Sequence, residues 1–164
     1  MTTEADTPSS QQQPPTVADR AEHITVAGDL VKFDLRQFAQ IKPDGPNVTV
    51  LSDTGAARTV LFAFAAGQQL KEHRTSSQIQ VLVLRGRITF TANDGAVKAK
   101  AGTLLQLEAQ TPHAITAETA ATVLVIMTPS PVYHSLNQTL FRQQVPLVSR
   151  VPRAETGEAE NADQ

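Results

Sequence analysis

The sequence predicts an all-β, antiparallel fold of the barrel or sandwich kind, and three observations carry that prediction. Short apolar runs recur between Asn47 and Thr128, with turn residues at intervals of roughly 8 to 12 positions and no helical period between them. Hydrophobic residues make up 40% of the chain, yet only six Phe and one Tyr are available. The core must therefore be built from Val, Leu, Ile and Ala, which favours sheets. A length of 164 residues points to one domain once its ragged ends are set aside.

Residues 1–22 are rich in Thr, Ser, Gln and Pro and have almost no apolar surface to bury, so a disordered tail is expected there. The barrel is expected over 23–130. Val31, Phe33 and Leu35 alternate with Lys32, Asp34 and Arg36, the period of a half-buried strand; Leu35, Phe38 and Ile41 equally suit a short helical turn. Lys42–Pro46 reads as a loop. Strands are then expected at Asn47–Asp53, Thr59–Ala65 and Ile79–Leu84, the last two apolar on both faces.

The next strand is patterned more cleanly, with Ile88, Phe90 and Ala92 on one face and Arg87, Thr89 and Thr91 on the other. Asn93-Asp94-Gly95 supplies a hairpin turn, because Asp-Gly tolerates positive φ. Ala96–Lys100, Thr103–Leu107, His113–Ala117 and Thr122–Thr128 complete the series. Pro129-Ser130-Pro131 then breaks the sheet, and Ser130 before Pro131 suits a helix start. Tyr133, Leu136 and Leu140 share a helical face, which predicts a short helix from about 131 to 143. Val145–Val148 reads as extended, so that 131–153 would pack on the barrel, and 154–164 as a disordered acidic tail.

Charge and composition exclude several function classes. The net charge of −2 conceals an ordered part with 13 Lys/Arg against 8 Asp/Glu, a surplus that could favour an anionic small ligand. Those basic residues are scattered and lack aromatic interleaving, so nucleic acid is not an expected partner. Without cysteine there is neither a disulfide framework nor a thiolate metal site. The N-terminus has acids where a signal peptide needs bases, and no apolar run approaches membrane length. The expectation is a cytoplasmic protein with no membrane partner.

Between Gly67 and Ile115 the chain resembles the cupin family, small jelly-roll barrels that carry two motifs. The first family motif runs Gly, five residues, His, one residue, His, three or four residues, Glu, six residues, Gly. Here the corresponding positions are Gly67, His73, Thr75, Ile79 and Gly86. The second motif is looser, with Lys100-Ala101-Gly102 near its start and Pro112-His113 at its histidine. The resemblance covers roughly residues 58 to 128 and implies a cupin jelly roll.

In metal-binding cupins both histidines and the glutamate of the first motif, with the histidine of the second, hold the metal. Only His73 and His113 carry over, an incomplete set, because Thr75 is a poor neutral ligand and Ile79 offers no donor. Strand alternation turns Gln78 and Gln80 away from the Ile79 face, barring a bulge near Ser76-Ser77, and sends Glu72 outward from His73. The expected ligand pocket comprises His73, Thr75, Ile79, Val81, Arg85 and His113, with Arg85 included because it follows Val81 and Val83 on the Ile79 face. His23 and His134 fall outside the motifs and are expected at the surface, and Gly67, Gly86, Gly95 and Gly102 are turn glycines rather than a phosphate cradle.

The function expected is small-molecule binding in the barrel, in a sensing or carrier role, with no cofactor. One alternative is a divergent dioxygenase or isomerase in which His73, His113 and a third ligand hold a divalent Fe, Mn, Ni or Zn. Another is a metal-free isomerase or epimerase with a histidine base, for which the resemblance implies an acid and a tyrosine; Tyr133 is the one tyrosine present. A homodimer is expected, with Val31–Leu35 as the segment that pairs with a second subunit.

Overall fold

The computed structural model describes residues 23–131 and 148–149. Apart from Pro131, the helix expected over 131–143 lies outside the described residues, with Tyr133 and His134, and so do both terminal tails. Two compact units divide the chain between Asp34 and Leu35.

In the first unit, β1 (Ile24–Ala27) and β2 (Leu30–Phe33) form an antiparallel hairpin, with Val26 opposite Val31. Gly28 turns the chain at φ +61, and the Asp34 amide donates to the His23 carbonyl to close the open end. The alternation beginning at Val31 thus runs as strand only to Phe33, and one edge of that strand is filled by β1 of the same chain. Leu35 instead opens a single helical turn, α1 (Leu35–Phe38), in the second unit. The two readings left open at Leu35 therefore divide at Asp34.

The second unit carries two sheets. The strands are β3 (Asn47–Asp53), β4 (Arg58–Phe64), β5 (Gln69–His73), β6 (Gln78–Arg85), β7 (Arg87–Ala92), β8 (Gly95–Lys100), β9 (Leu104–Leu107), β10 (His113–Ala117), β11 (Ala121–Thr128) and β12 (Val148–Ser149). Strands β5, β10, β7 and β8 form a four-stranded sheet; β12, β3, β4, β11, β6 and β9 form a six-stranded one. Every pairing is antiparallel except that of β12 with β3. This is the jelly-roll arrangement, and side chains from both sheets fill one core.

Alternation explains most of that core. On β4, Val60, Phe62 and Phe64 enter it, while Leu61 and Ala63 on the other face are buried as well, so this two-sided run is two-sided in fact. The other expected two-sided run is not. On β6, Ile79, Val81 and Val83 are buried, but Gln80 and Leu84 are exposed and Leu82 is half-buried.

Two turns show how sequence sets the topology. Gly86 is the single residue between β6 and β7, where the chain leaves one sheet for the other, and its φ is +78. A Cβ there would overlap the Ala120 carbonyl oxygen and come within 2.8 Å of the Ala121 Cα, so the position requires glycine. The β7–β8 hairpin closes as the sequence predicts, but with Asn93 rather than Gly95 at positive φ; Gly95 is already the first residue of β8, paired with Ala92. Asparagine tolerates that conformation, so the turn does not depend on its glycine.

Candidate functional site

A cavity opens between the two sheets of the second unit; the free space in and in front of it comes to about 440 Å³, open solvent included. Five of the six residues expected there line it: His73, Thr75, Ile79, Val81 and His113. Arg85 does not. It would fall on the Ile79 face if alternation continued, but β6 pairs with β11 through a bulge in which Thr122 and Val123 oppose Arg85 and Val83. The extra residue, Leu84, breaks the period, and both Leu84 and Arg85 are exposed.

A second bulge builds the polar end of the cavity. His113, the first residue of β10, lies opposite His73, the last of β5, whereas Ile115 lies opposite Leu70. Two residues of β5, Lys71 and Glu72, thus face Ala114 alone, and both are exposed. That irregularity lets Leu70 and His73 line the same cavity although three positions separate them, which strict alternation forbids. It also leaves the Lys71 carbonyl 2.7 Å from the His73 Nδ1.

The two imidazoles are held alike. His73 Nδ1 bonds to the Lys71 carbonyl and His113 Nδ1, at 2.8 Å, to the Thr111 carbonyl. A carbonyl only accepts, so each Nδ1 carries the proton and each Nε2 keeps its lone pair. The rings meet edge to face with centroids 4.2 Å apart, and His113, only 4% exposed, stacks on Phe90 at 5.7 Å. Burial pushes both pKa values below the ordinary histidine range, against the opposing effect of the carbonyl bonds, and proximity to His73 lowers His113 further. Both rings are neutral at neutral pH.

The rest of the lining is almost entirely apolar. Ile79, Val81, Val125 and Met127 come from the six-stranded sheet, with Phe62 on β4; Leu70, Phe90 and Ile115 come from the other. Thr75 adds a hydroxyl that accepts the Ser77 amide at 3.3 Å, while its carbonyl accepts the Gln110 amide at 2.8 Å. Ser77 is fully buried and donates to the Pro129 carbonyl at 2.6 Å, which ties this loop to the end of β11.

Sequence reading missed Phe62, Leu70, Phe90, Ile115, Val125 and Met127. Ile115 was within reach, because it stands two residues from His113 on one strand face. The others depend on cross-strand register, which the sequence does not display.

The donor set does not fit the divalent metal of the family motif. Among the described residues no group of three or more His, Cys, Asp or Glu is placed to hold an ion. Ile79 occupies the carboxylate position, and Met127, opposite it in register, adds only a thioether, a ligand for softer ions. Gln78 and Gln80 lie outside the cavity lining and pair instead with Glu108 and Gln106. For base catalysis, no acid or hydroxyl among the described residues is hydrogen-bonded to either ring. Among the described residues the hydrogen bonds of both rings go to backbone carbonyls, and Glu72 is exposed.

Fold and site together define a jelly-roll barrel with a small internal cavity, and comparison with known proteins gives the family. Residues 60–128 match the cupin domain family, and this chain contains a cupin domain. An RmlC-like cupin protein from Desulfovibrio desulfuricans is 25% identical, with a TM-score of 0.57 over 60% of this chain and 96% of that one. A conserved protein of unknown function from Streptococcus pyogenes is 23% identical, with a TM-score of 0.57 over 68% and 94% of the two chains. A cupin superfamily protein from Desulfitobacterium hafniense is 21% identical, with a TM-score of 0.55 over 59% and 89%. A comparison with curated proteins finds no match. Among the described residues, no helix is long and apolar enough to cross a membrane.

Proposed function

We propose that this protein binds a small organic molecule in the cupin cavity without a resident divalent metal, in a sensing or carrier role rather than as a catalyst. One observation carries the reading: two neutral imidazoles, each fixed through Nδ1, sit at the end of a cavity whose carboxylate position is Ile79. A divalent cation placed there would face two nitrogen donors and no compensating charge, in surroundings too dry to solvate it. A ligand with an apolar body instead gains from burial at about 25 cal/mol per Å² of apolar surface removed from water. The few polar groups at one end would orient it, the usual division of labour in small-molecule sites.

Native mass spectrometry of protein purified without a histidine tag tests this. The expected result is a bound organic species that leaves on denaturation and is reduced in a His73→Phe variant. A chain seen only at its bare mass of 17.6 kDa in every preparation, and stabilised by no member of a small-molecule panel, would sink the proposal.

A further inference from the structure

We infer that the cavity is built for an uncharged, largely apolar molecule that donates a hydrogen bond through a hydroxyl, and not for an anion. This rests on the small-molecule reading and names the class of ligand.

The geometry behind it is the pair of Nδ1–carbonyl bonds. With Nδ1 of both rings already donating to Lys71 and Thr111, what each imidazole still offers is the Nε2 lone pair, an acceptor. The two rings stand 4.2 Å apart, so both acceptors belong to one end of the cavity. Thr75 accepts from the Ser77 amide and retains its own hydroxyl hydrogen, which adds one weak donor. A ligand hydroxyl satisfies this pattern, because it donates to an imidazole and accepts from Thr75. The remaining walls, with Phe62, Phe90 and Val125, take an apolar or aromatic body.

An anion meets the opposite situation. Among the described residues no Lys or Arg lines the cavity, and the two arginines nearest in sequence to its polar groups, Arg74 and Arg85, are exposed. A carboxylate would enter against two lone pairs and lose its water without a compensating charge. Receiving it on imidazolium rings would set two cations with centroids 4.2 Å apart among apolar walls. Among the described residues, the basic side chains therefore do not reach the cavity.

Ligand-observed NMR with phenol, toluene and benzoate at pH 8 tests the inference, on the full chain and on a His73→Phe variant. Phenol is expected to bind the unaltered chain more tightly than benzoate. The phenol-to-toluene affinity ratio is expected to fall about tenfold in the variant, the loss of one buried hydrogen bond. Retained toluene binding would show that the variant is folded; the phenol–benzoate comparison needs only the unaltered chain. Benzoate binding as tightly as phenol, or a ratio unmoved by the substitution, would overturn the hydroxyl inference and leave small-molecule binding standing. Failure of all three probes to bind would instead overturn the small-molecule reading itself.

Discussion

His73 and His113 owe their state to two backbone carbonyls and an apolar enclosure, and that state has a consequence for stability. Their folded pKa values lie below the unfolded value of 6.5. A group whose folded pKa is depressed contributes stability that is present above its unfolded pKa and lost as pH falls toward the folded one, because the unfolded chain takes up the proton first. The protein should therefore lose stability as pH drops below about 6.5, beyond what its carboxylates account for. A His113→Phe variant, which keeps a ring against Phe90, should show a flatter profile in denaturant midpoints measured across that range. An unchanged slope would mean that the imidazoles are solvated rather than enclosed. Much of this site could be read from the sequence, because the motif positions are local: a fixed spacing placed His73, Thr75 and Ile79 together, and Pro112-His113 marked the second histidine. Arg85 was misplaced for a physical reason. Alternation extrapolates along a strand, and a single bulge at Leu84 reverses its phase.

Strands and their turns were legible to the extent that their causes were local. Asn47–Asp53, Arg87–Ala92 and His113–Ala117 occupy the residues that pattern alone assigns them, and most other expected strands differ by a residue or two at their ends. But β1 and β5, whose apolar residues are too few to show a period, are strands that the pattern does not announce. Partnership was not legible, since β10 between β5 and β7, or β11 between β4 and β6, is a fact of register across distant segments. The exception is Gly86, where the motif spacing pointed to a turn and the fold shows why no other residue serves. Gly86→Ala should cost about 3 kcal/mol or more, combining left-handed strain with a backbone overlap that no rotamer relieves. Chemical denaturation gives the figure directly, and a loss below about 1 kcal/mol would show that the β6–β7 crossover can relax away from Ala120.

Across the whole molecule, the cupin scaffold and the cupin chemistry come apart. Glycines at the expected spacing turn the chain, two sheets close on one core, and a cavity forms where the family motif falls. The donors lining that cavity are two neutral imidazoles, a hydroxyl and a thioether, with an isoleucine where a carboxylate would balance a divalent charge. The most direct test of a cavity built for organic ligands rather than metal is elemental analysis of protein purified without a histidine tag. Only traces of Fe, Mn, Ni and Zn are expected. Near-stoichiometric metal that disappears in a His73→Ala, His113→Ala double variant would contradict the account.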